Sequence, residues 1–148
     1  MSNLYLRKAE SADLDLYYEW ANDPEVRRNS FNTELIPYED HVNWFNKVIA
    51  RDDVVLFVLV ADDIPAGQIR INISDSVAEI SYSISAEFRG RGYGSKIVSL
   101  LVEKIKEGMP DIKTVRARVK PDNTASLKVF EREGFLKKET VFEMDVND

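Results

Sequence analysis

The sequence predicts a mixed α/β (α+β) domain on a largely antiparallel sheet of six or seven strands, flanked by about four helices. Three observations carry that expectation. Residues 54–84 hold three strand patterns in succession, separated only by short polar turns, which is how antiparallel neighbours are joined. Apolar residues recur at helical spacing in two segments before that block and in two after it. The 148 residues are 44% apolar and 31% charged, the size and composition of one domain able to bury a core.

Residues 4–8 read as the first strand. Ser11 stands where an N-cap belongs, and Leu14, Tyr17, Tyr18 and Trp20 with Ala21 form a helical stripe behind an acidic first turn. Asn22-Asp23-Pro24 interrupts it, since a proline disfavours helix at the residue before it. A polar segment through Phe31 follows. Pro37 opens a second helix in which Tyr38, Val42, Phe45 and Ile49 share a side, and Asp52-Asp53 ends it. Residues 54–60 are apolar throughout, as a buried strand would be, and residues 62–67 turn the chain.

Residues 67–73 and 77–84 then make two more antiparallel strands. In the latter, Ala78, Ile80, Tyr82 and Ile84 face one way, and Glu79, Ser81 and Ser83 the other. A helix over residues 92–106 buries Ile97, Leu100, Leu101 and Ile105, and Gly108 and Pro110 stop it. Residues 113–120 are a strand and 122–133 a helix closed by Gly134; residues 135–146 supply the last strand or strands. No repeat, linker or low-complexity tract divides the chain, so a single domain over 1–148 is expected.

Composition removes several function classes. A net charge of −6 argues against general binding to nucleic-acid phosphates. With no cysteine and one histidine, His41, a disulfide scaffold and a thiol nucleophile lack their parts, and no protein-built zinc site is expected. The N-terminus shows no signal-peptide pattern, and the longest apolar run, residues 54–61, is too short to cross a bilayer. A cytoplasmic protein without a membrane partner is the expectation, with monomer and homodimer both open.

The chemistry concentrates in Arg89-Gly90-Arg91-Gly92-Tyr93-Gly94, between a strand and a helix. Glycines at that density leave backbone N–H groups accessible, and a helix start favours an anion. A Walker loop needs Gly-Lys-Ser/Thr, but the order here is Gly94-Ser95-Lys96. A Rossmann fingerprint needs glycines at offsets 0, 2 and 5, against 0, 2 and 4 here, on a strand of antiparallel surroundings. The pattern Arg/Gln-x-x-Gly-x-Gly/Ala is met at every defined position.

That pattern resembles the pyrophosphate-binding motif of the GNAT superfamily of acetyl-coenzyme A-dependent N-acetyltransferases. The stretch "VKPDNTASLKVFEREGF" is similar to the family's second signature, with Asn123, Ser126, Phe130, Gly134 and Phe135 in the defined positions. The resemblance extends over the whole chain. It implies that Arg89 to Gly94, including Tyr93, cradle the pyrophosphate of acetyl-CoA, and that Asn123, Ser126 and Phe130 border the cofactor. It further implies that the pantetheine arm lies between two splayed strands, pairing with backbone groups around Ser83, Ile84 and Ser85. There a backbone N–H would polarise the thioester carbonyl.

On the same resemblance Glu79 is the candidate base, with Ser81 and Ser83 able to carry a water chain, and His41 is the second candidate. Many members carry a tyrosine where this chain has Phe130, and phenylalanine cannot donate a proton. The acid is therefore unassigned; Tyr82 and Tyr93 are the other phenols nearby in sequence. Trp20, Asn22, Val26, Arg27, Ser30, His41 and Trp44 resemble an arrangement in amino-sugar N-acetyltransferases that act on nucleotide-linked 4-amino sugars. The implied acceptor is a small-molecule amine, a nucleotide sugar first. Alternatives are a protein N-terminal, polyamine or antibiotic acetyltransferase, and a non-catalytic acyl-CoA-binding module.

Overall fold

The computed structural model describes residues 3–147. Five strands form one sheet: β1 (Leu4–Lys8), β2 (Val54–Ala61), β3 (Ile64–Ser74), β4 (Val77–Ile84) and β5 (Thr114–Ala117), neighbours in that order. β1 to β4 pair antiparallel, and β5 runs parallel to β4. A parallel neighbour needs a crossover, and α4 (Tyr93–Gly108) supplies it. The other helices are α1 (Leu14–Ala21), behind a 3-10 turn at Ser11–Asp13, α2 (Pro24–Asn29), α3 (Tyr38–Ile49) and α5 (Thr124–Arg132).

Apolar residues run unbroken through β2 because the sheet is covered on both faces. Phe57 and Leu59 join Ile69, Ile71, Ala78 and Ile80 against Ile97, Val98 and Leu101 of α4 and Phe130 of α5. Leu56, Val58 and Val60 pack the opposite way, against Tyr17 and Trp20 of α1 and Phe45 and Val48 of α3. The β2–β3 turn is only Asp62-Asp63, both at positive φ (49° and 69°), the backbone that matches a two-residue hairpin.

The entry to α1 is pinned by charge. The Arg7 guanidinium grips the Asp13 carboxylate at 2.7 and 2.9 Å, and Asp13 also accepts from the Glu10 N–H at 2.8 Å. The Arg7 hydrogen bond, against the opposing effect of burial, holds the Asp13 carboxyl below its ordinary range. A depressed carboxyl stabilises the fold above its unfolded-state pKa and loses that contribution as pH falls through the folded one. Asp13→Asn is therefore expected to cost about 1.5–3 kcal/mol near pH 7, as for hydrogen bonds to charged groups. It should also lose less stability than wild type between pH 5 and pH 2, as denaturant melts across that range would read.

The structure departs from the sequence expectation in three places. The sheet has five strands among the described residues, not six or seven, and the helices number five rather than about four. Pro24 does not merely end a helix but starts one: Asp23 caps α2 by accepting from the N–H groups of Glu25 and Val26, with proline in the first turn. Residues 135–146, expected as strand, form none; Phe142 is 92% exposed and Met144 84%. A strand is stabilised by its ladder and its buried face, and no strand pairs with this segment.

The sheet parts at one end. The β4–β5 ladder stops at Ile80 and Ala117, yet β4 continues to Ile84 beside β3 alone. This is the expected splay. Gly67 lets β3 follow β4 there, because a Cβ on it would stand 2.6 Å from the Ser83 carbonyl oxygen.

Candidate active site

Where β4 and β5 part, a cleft of about 930 Å³ opens. Ser81, Tyr82, Ser83 and Ile84 line it along β4, and Ala117, Arg118 and Val119 face them from the chain around β5. Gly90, Gly92 and Gly94 reach one part of its wall; Trp20, His41 and Trp44 reach another.

The three glycines do two jobs. Gly90 and Gly92 sit at φ +80° and +79°, and a Cβ on either would meet no atom within 4 Å. Gly92 is also the N-cap of α4, whose first N–H groups lack intrahelical acceptors. Left-handed backbone, open space and a helix start together make an anion cradle. Gly94 lies inside α4, where a Cβ would come 3.2 Å from Val129 and 3.3 Å from the Tyr82 hydroxyl. Its bareness serves packing of α4 against α5 and β4.

Both arginines of the loop are engaged by the protein. Arg89 donates to the Ile84 carbonyl at 3.1 Å and pairs with Asp23 and Glu25, each at 2.9 Å. Burial alone would raise the Asp23 carboxyl, but the Arg89 hydrogen bond, with the Val26 and Glu25 N–H groups, holds it below its usual range. Arg91 lies over the Phe88 ring at 5.1 Å, donates to the Glu87 carbonyl, and does not line the cleft. Tyr93 is buried at the start of α4 and stacks on Phe88.

Asn123 caps α5, accepting from the Ser126 N–H at 3.3 Å, and both residues line the cleft. Ser126 Oγ lies 3.1 Å from the Tyr82 hydroxyl. Phe130 is buried with its ring edge-on to Tyr82, so a phenol from β4 stands beside the position where the family pattern has one. Burial raises the Tyr82 pKa, against the lowering effect of Ser126. Ser83 accepts from Gln68 at 3.1 Å. Ser85 donates its N–H to Ala66 and lies outside the cleft wall.

On the other wall, three of the expected acceptor residues, Asn22, Arg27 and Ser30, hold the loop between α2 and α3. Asn22 clamps the Ile36 backbone through its N–H and its carbonyl (2.8 and 3.0 Å) and does not line the cleft. Arg27 donates to the Asn32 and Glu34 carbonyls and to Ser30 Oγ; Ser30 in turn donates to the Val26 carbonyl. The Arg27 Nε is buried without a partner, and burial lowers this arginine's pKa. Trp20 belongs to the core beneath α1, and Trp44 packs at its border. His41 is 2% exposed, and its Nε2 lies 2.8 Å from the Leu14 carbonyl. A carbonyl only accepts, so Nε2 is the donor in this contact.

Glu79 is not brought into the cleft. It shares a sheet face with Ser81 and Ser83 but pairs with Arg118 at 3.0 Å, in a shallow depression beside Asn72 and Arg116. Arg118 borders both spaces. Sequence reading missed Arg118, Gln68, Tyr82 and Arg70 as cleft residues. The signal was there in Gln68-Ile69-Arg70-Ile71, where polar residues alternate with fully buried ones.

These parts fit acetyl-CoA: an anion cradle that added Cβ atoms would fill, a strand edge without a partner, and a long groove between them. The family description "Acetyltransferase (GNAT) domain" matches residues 3–136. The chain belongs to that family, and it is an acetyl-CoA-dependent N-acetyltransferase. It is 27% identical over 148 residues to "Uncharacterized N-acetyltransferase p20" of Bacillus licheniformis, covering 90% of this chain and 82% of that protein. Two solved structures share the fold. Spermidine N-acetyltransferase from Vibrio cholerae, with CoA and spermine, has TM-score 0.86 at 20% identity, covering 97% of this chain and 88% of that one. Aminoglycoside acetyltransferase AAC(6')-Ib, with coenzyme A, has TM-score 0.82 at 22% identity, covering 94% and 87%.

Proposed function

We propose that this enzyme acetylates the primary amine of a small molecule, an amino sugar carried on a nucleotide, by direct attack of the amine. The supporting observation is continuity: one cleft runs from the bare glycines to the aromatic wall of Trp20, His41 and Trp44. Both substrates can then meet over the open edge of β4.

Bound acetyl-CoA supplies an activated acetyl group. The chain's own residues do the rest. The Ile84 N–H, beyond the last β4–β5 pair and facing away from β3, is in a position to align an extended amide arm and polarise a carbonyl; the Ile84 carbonyl is taken by Arg89. The acceptor ammonium must lose a proton, and we assign that to Glu79 through water along Ser81 and Ser83, which share its face. His41 offers only Nδ1, since Nε2 is committed to Leu14. Its part is to hold the α1–α3 wall.

An amine panel with acetyl-CoA tests the reading. Turnover of nucleotide-linked amino sugars well above polyamines, aminoglycosides and peptide N-termini is the expected result. Preference for peptide N-termini would sink it, as would CoA binding with no turnover of any amine.

A further inference from the structure

Arg70 stands apart from the other arginines of the cleft. Arg27, Arg89, Arg118 and Arg132 each have a hydrogen bond or an ion pair. Among the described residues Arg70 has neither; its guanidinium lies over the Trp44 ring, 5.7 Å from the centroid. It rises from mid-β3 between the fully buried Ile69 and Ile71, with Leu56 and Ser81 as its cross-strand neighbours. Burial lowers its pKa, against attraction from Tyr17 and Glu79. Tyr17 is bonded to the Phe57 carbonyl and Glu79 to Arg118, so neither satisfies it.

A guanidinium offers five N–H donors and stays charged at any physiological pH. Holding one in a partly desolvated wall without a carboxylate is costly, and an anion relieves the cost. The surroundings agree. Five arginines and two carboxylates, Glu25 and Asp40, line the cleft; Asp23, Glu25 and Glu79 offset Arg89 and Arg118, which leaves Arg70 without a carboxylate partner on a wall whose lining is net positive.

We propose that Arg70 anchors an anionic group, phosphate or carboxylate, on the acceptor amine, with Trp44 stacking beside it. Arg70 stands opposite Ser81, the first β4 residue past the last β4–β5 pair, and Ser83 lies two residues further along. Two residues of strand span about 7 Å, so the anion sits within one sugar ring or so of the reacting amine. The inference rests on the small-molecule acetyl-transfer reading and narrows it: acceptors that are only polycations are disfavoured.

The test has a binding arm and a turnover arm. With CoA saturating the glycine loop, calorimetric titration of wild-type protein with UDP, and separately with succinate, should show binding of at least one. Which of the two binds distinguishes phosphate from carboxylate. Arg70→Gln should weaken that binding tenfold or more and leave acetyl-CoA affinity unchanged. Arg70→Lys, which keeps the charge without the fork, should fall between and serves if the glutamine variant does not fold.

In turnover, Arg70→Gln should raise KM for an anionic amine at least tenfold with kcat within a few-fold, and should not raise KM for spermidine. Binding of neither probe, or equal binding by wild type and both variants, overturns the proposal. Arg70-dependent binding without turnover of any amine would uphold the anion site and overturn the acetyl-transfer reading alone.

Discussion

Gly92→Val is expected to abolish acetyl-CoA binding while the protein still folds. Gly92 caps α4 at φ +79°, a left-handed backbone that costs an L residue about 1–2 kcal/mol, and a β-branched one at the upper end. That strain falls at one loop position and leaves both packed faces of the sheet untouched. The larger effect comes from where the side chain goes. No atom lies within 4 Å of the Cβ position, and the side chain would enter the open space where the proposed cradle holds the pyrophosphate. Calorimetry with CoA should show affinity falling at least a hundredfold, with a far-UV spectrum like wild type. Gly108→Ala is the control: it adds a methyl at the far end of α4, also into open space, and should bind CoA normally. Affinity kept within a few-fold in Gly92→Val would remove the loop from the site.

Glu79→Gln should lower the acetylation rate by roughly 10²–10⁴, the usual size for a lost general base. The loss should be greatest at low pH, where the amine is mostly protonated and most needs a partner for its proton. The geometry makes this a demanding test, because Glu79 is 40% exposed and bound to Arg118 rather than turned into the cleft. A relay from Ser81 requires only the shared sheet face, not direct contact. An unchanged pH–rate profile in Glu79→Gln would leave the residue as an ion pair at the sheet's end, with positioning as the main catalytic contribution.

Much of this was legible in the sequence because it is written in local terms. The unbroken apolar run of β2 announces burial on two faces, the closely spaced glycines announce a bare turn at the head of a helix, and Asn123 is a recognisable cap. What stayed hidden depends on partners distant in the chain. Arg89 reads as a phosphate ligand until Asp23, 66 residues earlier, is seen to hold it. Glu79 reads as free until Arg118 pairs with it. The alternation Phe142, Met144, Val146 is a strand pattern, but a strand also needs a neighbour, and pattern alone does not supply one. α2 was legible and misread: Asp23-Pro24-Glu25 contains a cap, a first-turn proline and an acidic first turn, the marks of a beginning rather than an interruption.

The Arg89 bridge has a consequence for the order of events in catalysis. One guanidinium joins the end of β4 to the head of α2, and α2, through Arg27, fixes the loop beside the proposed acceptor side. Whatever free energy the two binding sites exchange through that joint must be symmetric. If a loaded donor site tightens the hold on acceptor by some factor, a bound acceptor tightens the hold on donor by the same factor. A preferred sequence of addition would then be a matter of rates and concentrations, not of one site commanding the other.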